Sequence, residues 1–268
     1  MKDIKTIIMI MAIILVIVGI VFLTYGVINK NTKIVSNPIV TIDVKDYGII
    51  KIELFPDKAP NTVTNFLRLA SRGFYDGLTF HRTIPDFMIQ GGDPNNDGTG
   101  SPRLRDIIDE GSSDNYTIKG EFIANKYYKN NIKMERGVIA MARSDYSSIS
   151  GSLAEEGYNS AGSQFFIMQK DNANLDGLYA GFGKVIEGMD VIDKIANTEV
   201  YYRTSELQED EEAPKDEDGN EISSDRPKTE VVITNVTVDT FGVDYGIPET
   251  KEPFNYYNWL IKNYNYNS

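Results

Sequence analysis

The sequence predicts a mainly β fold, a closed antiparallel barrel with helices at its ends, set behind an apolar N-terminal segment. Three observations carry this expectation. Short runs rich in β-branched and aromatic residues recur at 39–44, 48–54, 78–84, 87–90, 137–142, 164–168, 182–185 and 230–238. Helical spacing occurs after the N-terminal segment mainly in two places, from Pro60 to Gly73 and at 189–196. Many short strands with few helices are the pattern of a barrel rather than of alternating βαβ units.

In chain order, residues 6–29 carry no charge and as a helix would span roughly 36 Å, enough for a ~30 Å hydrocarbon core. Lys2 and Lys5 precede this run, and Lys30 and Lys33 follow it. It is longer than a signal-peptide core, and Thr24-Tyr25-Gly26 is a poor cleavage site. The expectation is a single transmembrane anchor over 1–30, a linker over 31–37, and a domain outside the cytoplasm. The flanking lysines, being nearly balanced, give orientation little support. The runs at 39–44 and 48–54 read as a hairpin, because Ile50, Ile52 and Leu54 alternate with Lys51 and Glu53. Pro60 suits a first helical turn, and Val63, Phe66, Leu67 and Ala70 make one apolar face before Gly73.

Composition removes several classes of chemistry. A formal charge of -12 argues against a nucleic-acid partner, which requires a basic face. With no cysteine, disulfides, thiol nucleophiles and Cys-based zinc sites are excluded. One histidine, His81, leaves no multi-histidine metal site, and a Ser-His-Asp triad would have to use it.

The main domain is expected over 38–242, with insertions near 101–115, 145–158 and 205–226, and an aromatic tail over 243–268. The third insertion is strongly acidic and reads as a solvated loop. A calcium loop starting at Asp216 fails, because Glu221 stands where glycine is needed and Pro227 where the bidentate acid is needed. One starting at Asp93 puts Leu104 at the acid position and also fails. The tail, with Trp259 and several tyrosines, reads as packing on the barrel or as a partner-docking segment.

Three stretches carry the chemistry. Residues 80–93 combine Phe80, His81, Arg82, Phe87, Met88 and Gln90. Strand alternation places Phe80, Arg82 and Ile84 on one face, Met88 and Gln90 on one face of the next strand, and His81 opposite. Residues 159–167 add Gln164 and Phe166, and residues 174–185 add Leu175 and Tyr179. One strand pair can then present Arg82 beside Gln90 and Met88 on a single wall.

In order and spacing, Phe-His-Arg…Pro-x-Phe-Met-x-Gln-Gly-Gly-Asp, Gly-Ser-Gln-Phe-Phe-Ile and Leu-Asp-Gly…Phe-Gly-Lys-Val resemble a cyclophilin. The resemblance runs from about 39 to 238. It implies an eight-stranded barrel capped by two helices, peptidyl-prolyl cis-trans isomerase activity and no cofactor. By position, Arg82 would be the catalytic arginine, with Gln90 and Gln164 binding substrate backbone and orienting it. Phe87, Met88, Phe166 and Leu175 would line the proline pocket. Met141-Ala142-Arg143 is similar to the family's Met-Ala-Asn segment, so Ala142 and Arg143 would pair with substrate backbone. Tyr179 stands where many members have histidine. Asn174 replaces a tryptophan of drug-binding members, so a cyclosporin-like ligand is expected to bind weakly. The expected partners are proline-containing polypeptides, with the membrane held through the N-terminal segment. Two rivals stand beside this reading. One is a noncatalytic proline-peptide binding or chaperone module on the membrane surface. The other is a surface component working through its acidic loop or aromatic tail.

Overall fold

The structure, a computed structural model, describes residues 2–31, 36–203, 213–215, 219 and 221–264. It divides into two compact units, Met1–Ser36 and Asn37–Ser268. The first contains one helix, α1 (Lys2–Asn31). The expected membrane-crossing helix is not found: among the described residues no helix is long and apolar enough to cross a membrane.

The second unit begins with β1 (Ile39–Val44) and β2 (Gly48–Leu54), then α2 (Pro60–Ser71), β3 (Arg82–Ile84), β4 (Met88–Gly91) and α3 (Leu104–Ile107). It continues with β5 (Val138–Met141), α4 (Ala154–Tyr158), β6 (Phe165–Met168), β7 (Gly181–Glu187), α5 (Met189–Ala196), β8 (Ile233–Asp239) and α6 (Tyr256–Tyr264). All strand pairs are antiparallel, in the order β3-β4-β6-β5-β7-β2-β1-β8.

The sheet is open, which corrects the expected closed barrel. Its end strands, β3 and β8, share no ladder. The backbone before β3 meets the approach to β8 through one bridge, Thr79 with Val232, flanked by Phe80 N–H to Val231 O at 2.9 Å and Ile233 N–H to Leu78 O at 2.8 Å. The cause is the shortness of β3. Phe80 turns into the main core instead of sharing a face with Arg82, so the strand expected from 78 begins only at Arg82. Beyond it, Thr83 donates to the carbonyl of Asp225 at 2.9 Å, so a loop segment replaces the missing ladder.

Hydrophobic periodicity explains the core. Val40, Ile42, Val44, Ile50, Ile52 and Leu54 alternate along the hairpin and are buried against α2 and α5. Phe66 of α2 stands at the centre, its ring 5.0 Å from Tyr75, 5.2 Å from Phe182 and 5.5 Å from Phe165. Strands β5 and β6 are buried at every position. Ile89, Ile139, Phe165 and Ile167 face this core, whereas Met88, Val138, Ala140, Phe166 and Met168 form a second, smaller cluster with Met134. That second face carries the site.

The segments read as insertions differ in kind. Residues 101–115 contain α3 and bury Ile107, whose carbonyl accepts from Arg68 Nε at 2.6 Å. Residues 145–158 contain α4 and bury Leu153. Most of the acidic stretch 205–226 lies outside the described residues. The tail pairs Lys251 with Thr117 and sets Phe254 against Tyr146, but core packing does not extend through α6. There Tyr256 stacks on Trp259 at 5.9 Å, and Tyr257 and Ile261 are exposed.

Replacing Phe66 by alanine removes the ring that joins helix to sheet. The expected loss is about 3–5 kcal/mol of unfolding free energy, read by urea denaturation. A loss below about 1 kcal/mol would show that this cluster does not hold the two layers together.

Candidate active site

The second face is organised by strand register. Arg82 pairs with Gln90, Gln90 with Phe166, and Phe166 with Ala140, so one row crosses β3, β4, β6 and β5. The next row contains Ile84, Met88 and Met168. Adjacent strands lie about 4.8 Å apart, which fixes the arginine, amide and aromatic groups at neighbouring positions without any contribution from a flexible loop.

Beside these rows lies a cavity of about 150 Å³ lined by Arg82, Phe87, Met88, Gln90, Ala142, Arg143, Phe166, Leu175 and Tyr179. Nine of the ten residues singled out from the sequence therefore meet in one place. The tenth, Gln164, lines an adjoining polar cavity of about 210 Å³, which shares Gln90, Ala142 and Arg143 with the first. The floor is apolar, with Met88 and Phe166 buried, and Tyr179 meets the Phe166 ring edge-on at 5.2 Å.

The polar groups are positioned individually. Gln90 donates from Nε2 to Gln164 Oε1 at 3.0 Å, and Gln164 donates to the carbonyls of Gly98 and Gly100, both at 3.0 Å. That loop is set by Asp93, fully buried, whose carboxylate accepts backbone N–H groups of Asn95, Asp97 and Gly98. Residue 100 must be glycine for this approach, since a Cβ there would stand 1.9 Å from Asp93 Oδ1. The expected link from Gln90 to Arg82 is not a hydrogen bond. The two are cross-strand neighbours, while the Arg82 guanidinium faces Asp225, with Nε 3.7 Å from Oδ2.

Arg143 is held by carbonyls and rings. Nε donates to Leu178 O and Nη1 to Ser144 O, both at 3.1 Å. Its carbon Cζ lies 4.7, 5.1 and 5.7 Å from the ring centres of Tyr179, Tyr158 and Phe122. Three aromatic faces favour a cation there. The Ala142 N–H is taken up by Gln164 O at 2.9 Å.

His81 is buried away from the cavity, and neither ring nitrogen has a hydrogen-bond partner. Burial lowers its pKa below the ordinary histidine value, with Asp93 opposing and Arg82 assisting. Its role is packing as a neutral ring. Among the described residues, no group of three His, Cys, Asp or Glu side chains is placed to hold a metal ion. Asp225 and the loop at 98–100 escaped the sequence reading. Both act across more than sixty residues of chain, and no local spacing marks such pairings.

Fold and groove together place a part-apolar cavity on a sheet face beside an arginine guanidinium. Residues 39–238 match the family model described as cyclophilin type peptidyl-prolyl cis-trans isomerase/CLD. Peptidyl-prolyl cis-trans isomerase B of Bacillus subtilis (strain 168) is 38% identical over 157 residues, covering 59% of this chain and 90% of that protein. Peptidyl-prolyl cis-trans isomerase CYP18-1 of Arabidopsis thaliana is 40% identical over 152 residues, covering 57% and 79%. A crystal structure of a cyclophilin type isomerase of Cryptosporidium parvum covers 76% of this chain and 98% of its own, at 27% identity and a TM-score of 0.53. The chain belongs to the cyclophilin-type peptidyl-prolyl cis-trans isomerases and is an enzyme of that activity.

His81 gives a pH prediction. Because its folded pKa is lowered, the unfolded chain binds the proton first as pH falls below about 6.5, and stability falls with it. The slope approaches about 1.4 kcal/mol per pH unit until the folded form also protonates. Between pH 7.5 and 5.5 the urea midpoint of the native chain should decline, and that of His81→Leu should stay nearly level. Parallel declines in both proteins would place the titration elsewhere.

Proposed function

We propose that the enzyme isomerises X–Pro bonds in exported or surface polypeptides, with Arg82 as the catalytic group. The observation that carries this reading is the register-fixed row from Arg82 through Gln90 to Phe166, beside the apolar cavity. Rotation about the imide loses amide resonance, against a barrier of about 18–20 kcal/mol. Uncatalysed exchange takes tens to hundreds of seconds. Millisecond turnover requires roughly 10⁴–10⁵-fold acceleration, or about 6–7 kcal/mol.

No nucleophile or proton relay is required. Phe87, Met88, Phe166 and Leu175 hold the pyrrolidine ring while the preceding residue turns, and Tyr179 closes one edge. As the bond twists, the proline nitrogen gains a lone pair, and the Arg82 guanidinium stabilises this state over both planar forms. Arginine suits the task because it stays charged and presents a planar fork. Gln90 and Gln164 bind substrate backbone together with the segment at Ala142 and Arg143. The Cryptosporidium parvum relative has also been solved in the presence of the dipeptide Ala-Pro, at a TM-score of 0.52, which supports a proline-peptide ligand for this groove. Asn174 leaves a cyclosporin-like ligand with weak affinity.

The uncharged run at 6–29 is what supports a place at the extracytoplasmic face of the cell membrane, although no described helix is long and apolar enough to cross it. There the enzyme would accelerate the slow proline steps of newly exported chains. Recovery in alkaline-washed membranes, with loss to the soluble fraction when 1–30 are removed, is the expected result. A domain digested by external protease only after the cytoplasm is opened would rule out this location.

Exchange NMR on an X–Pro peptide tests the catalytic assignment. Arg82→Ala should lower kcat by about 10²-fold or more while the peptide still binds. Unchanged exchange in that variant would remove Arg82 from the reaction, and absence of acceleration by the folded native chain would favour a noncatalytic binding module.

A further inference from the structure

From the geometry at the outer edge of β3, we infer that Asp225 is a positioning residue for catalysis, setting the Arg82 guanidinium through its Nε. The inference rests on the assignment of Arg82 as the catalytic group. Asp225 is buried, with its side chain 7% exposed, while that of Arg82 is 40% exposed. Its Oδ2 lies 3.7 Å from Arg82 Nε, and its Oδ1 accepts from Arg203 Nη1 at 3.2 Å. A carboxylate so removed from water is tolerated because cations and hydrogen bonds surround it.

The backbone fixes this carboxylate as firmly as the sheet fixes the arginine. Asp225 N–H donates to Tyr202 O at 2.9 Å, and Asp225 O accepts from Thr83 N–H at 2.9 Å, next to Arg82 in the strand. Arg203 Nη1 also donates to Thr83 O at 2.9 Å. Asp225 has φ +59°, in the left-handed region that aspartate enters more readily than most non-glycine residues.

The chemical consequence lies in the fork. An arginine side chain has four rotatable bonds, and Gln90 makes no hydrogen bond to it, its amide being committed to Gln164. The ion pair at Nε biases the orientation of a guanidinium that also lines the cavity. Arg203, sharing the same carboxylate, keeps Asp225 from cancelling the charge that the twisted imide requires.

The test uses the full-length chain and X–Pro exchange NMR with kcat and KM separated. Asp225→Asn should lower kcat about tenfold with KM within about twofold, because a displaced group costs rate rather than ground-state binding. Asp225→Glu, which restores the charge one methylene further out, should recover part of the loss. In an Arg82→Ala background, Asp225→Asn should cause no further loss, since the two residues act as one unit. The Arg82 Nε–Hε resonance should shift in Asp225→Asn. If Arg82→Ala abolishes acceleration while Asp225→Asn retains native kcat, the positioning role is overturned and the catalytic assignment stands. Equal proportional losses in both backgrounds would mark Asp225 as support for the fold alone. If Arg82→Ala is itself active, the underlying assignment fails. Should Asp225→Asn not fold, Asp225→Ser carries the same comparison.

Discussion

Strands β5 and β6 are buried on both faces, and β4 at every position but Gln90, and the remainder of the structure is arranged around that constraint. Ile89, Ile139, Phe165 and Ile167 point toward Phe66 of α2, while Met88, Ala140 and Phe166 point the other way. Period-2 alternation means that each inward residue fixes the direction of its outward neighbour, and a slip of one position would exchange core for site. Dense packing on the inner face therefore holds the outer face in place. The proline-gripping surface is in effect the reverse side of the hydrophobic core.

That arrangement suits a reaction without proton transfer or covalent chemistry. In the proposed mechanism a charge is held where the twisted imide develops its lone pair, so placement matters more than titration. Two arginines reach the groove in a protein of formal charge -12, each held differently. Arg143 is enclosed by three rings and donates to two backbone carbonyls. Arg82 has a carboxylate on one side and the cavity on the other. The first is built to shape the groove and the second to act in it.

Much of this was legible because it is local or periodic. The hairpin alternation, the α2 apolar face and the motif residues are properties of short windows, and the local β3–β4 pairing brings Arg82 beside Gln90, whereas Phe166 joins them through the long-range β4–β6 pairing. What remained hidden depends on distant segments. Phe80 fits an alternating strand by sequence, but the core draws it inward and shortens β3 to Arg82–Ile84. Residues 101–115 read as a polar loop, yet Ile107 is buried beneath the Arg68 side chain's hydrogen bond. Asp225 lies at the end of a stretch whose charge density suggests solvent, and only its backbone pairing with Thr83 brings it to the groove.

The opening between β3 and β8 bears on the same chemistry. An edge strand offers unpaired N–H and C=O groups, and short length or a covering loop keeps them from pairing with another chain. Here β3 is both short and covered, since Asp225 O takes up Thr83 N–H and Arg203 takes up Thr83 O. A continuous β8 ladder at this position would place a strand where the carboxylate stands and leave Arg82 with only Gln90 beside it. Leaving the sheet open thus provides space for an acid at the edge of the row that ends in Arg82. The departure from a closed barrel and the geometry of the active site are two consequences of one short strand.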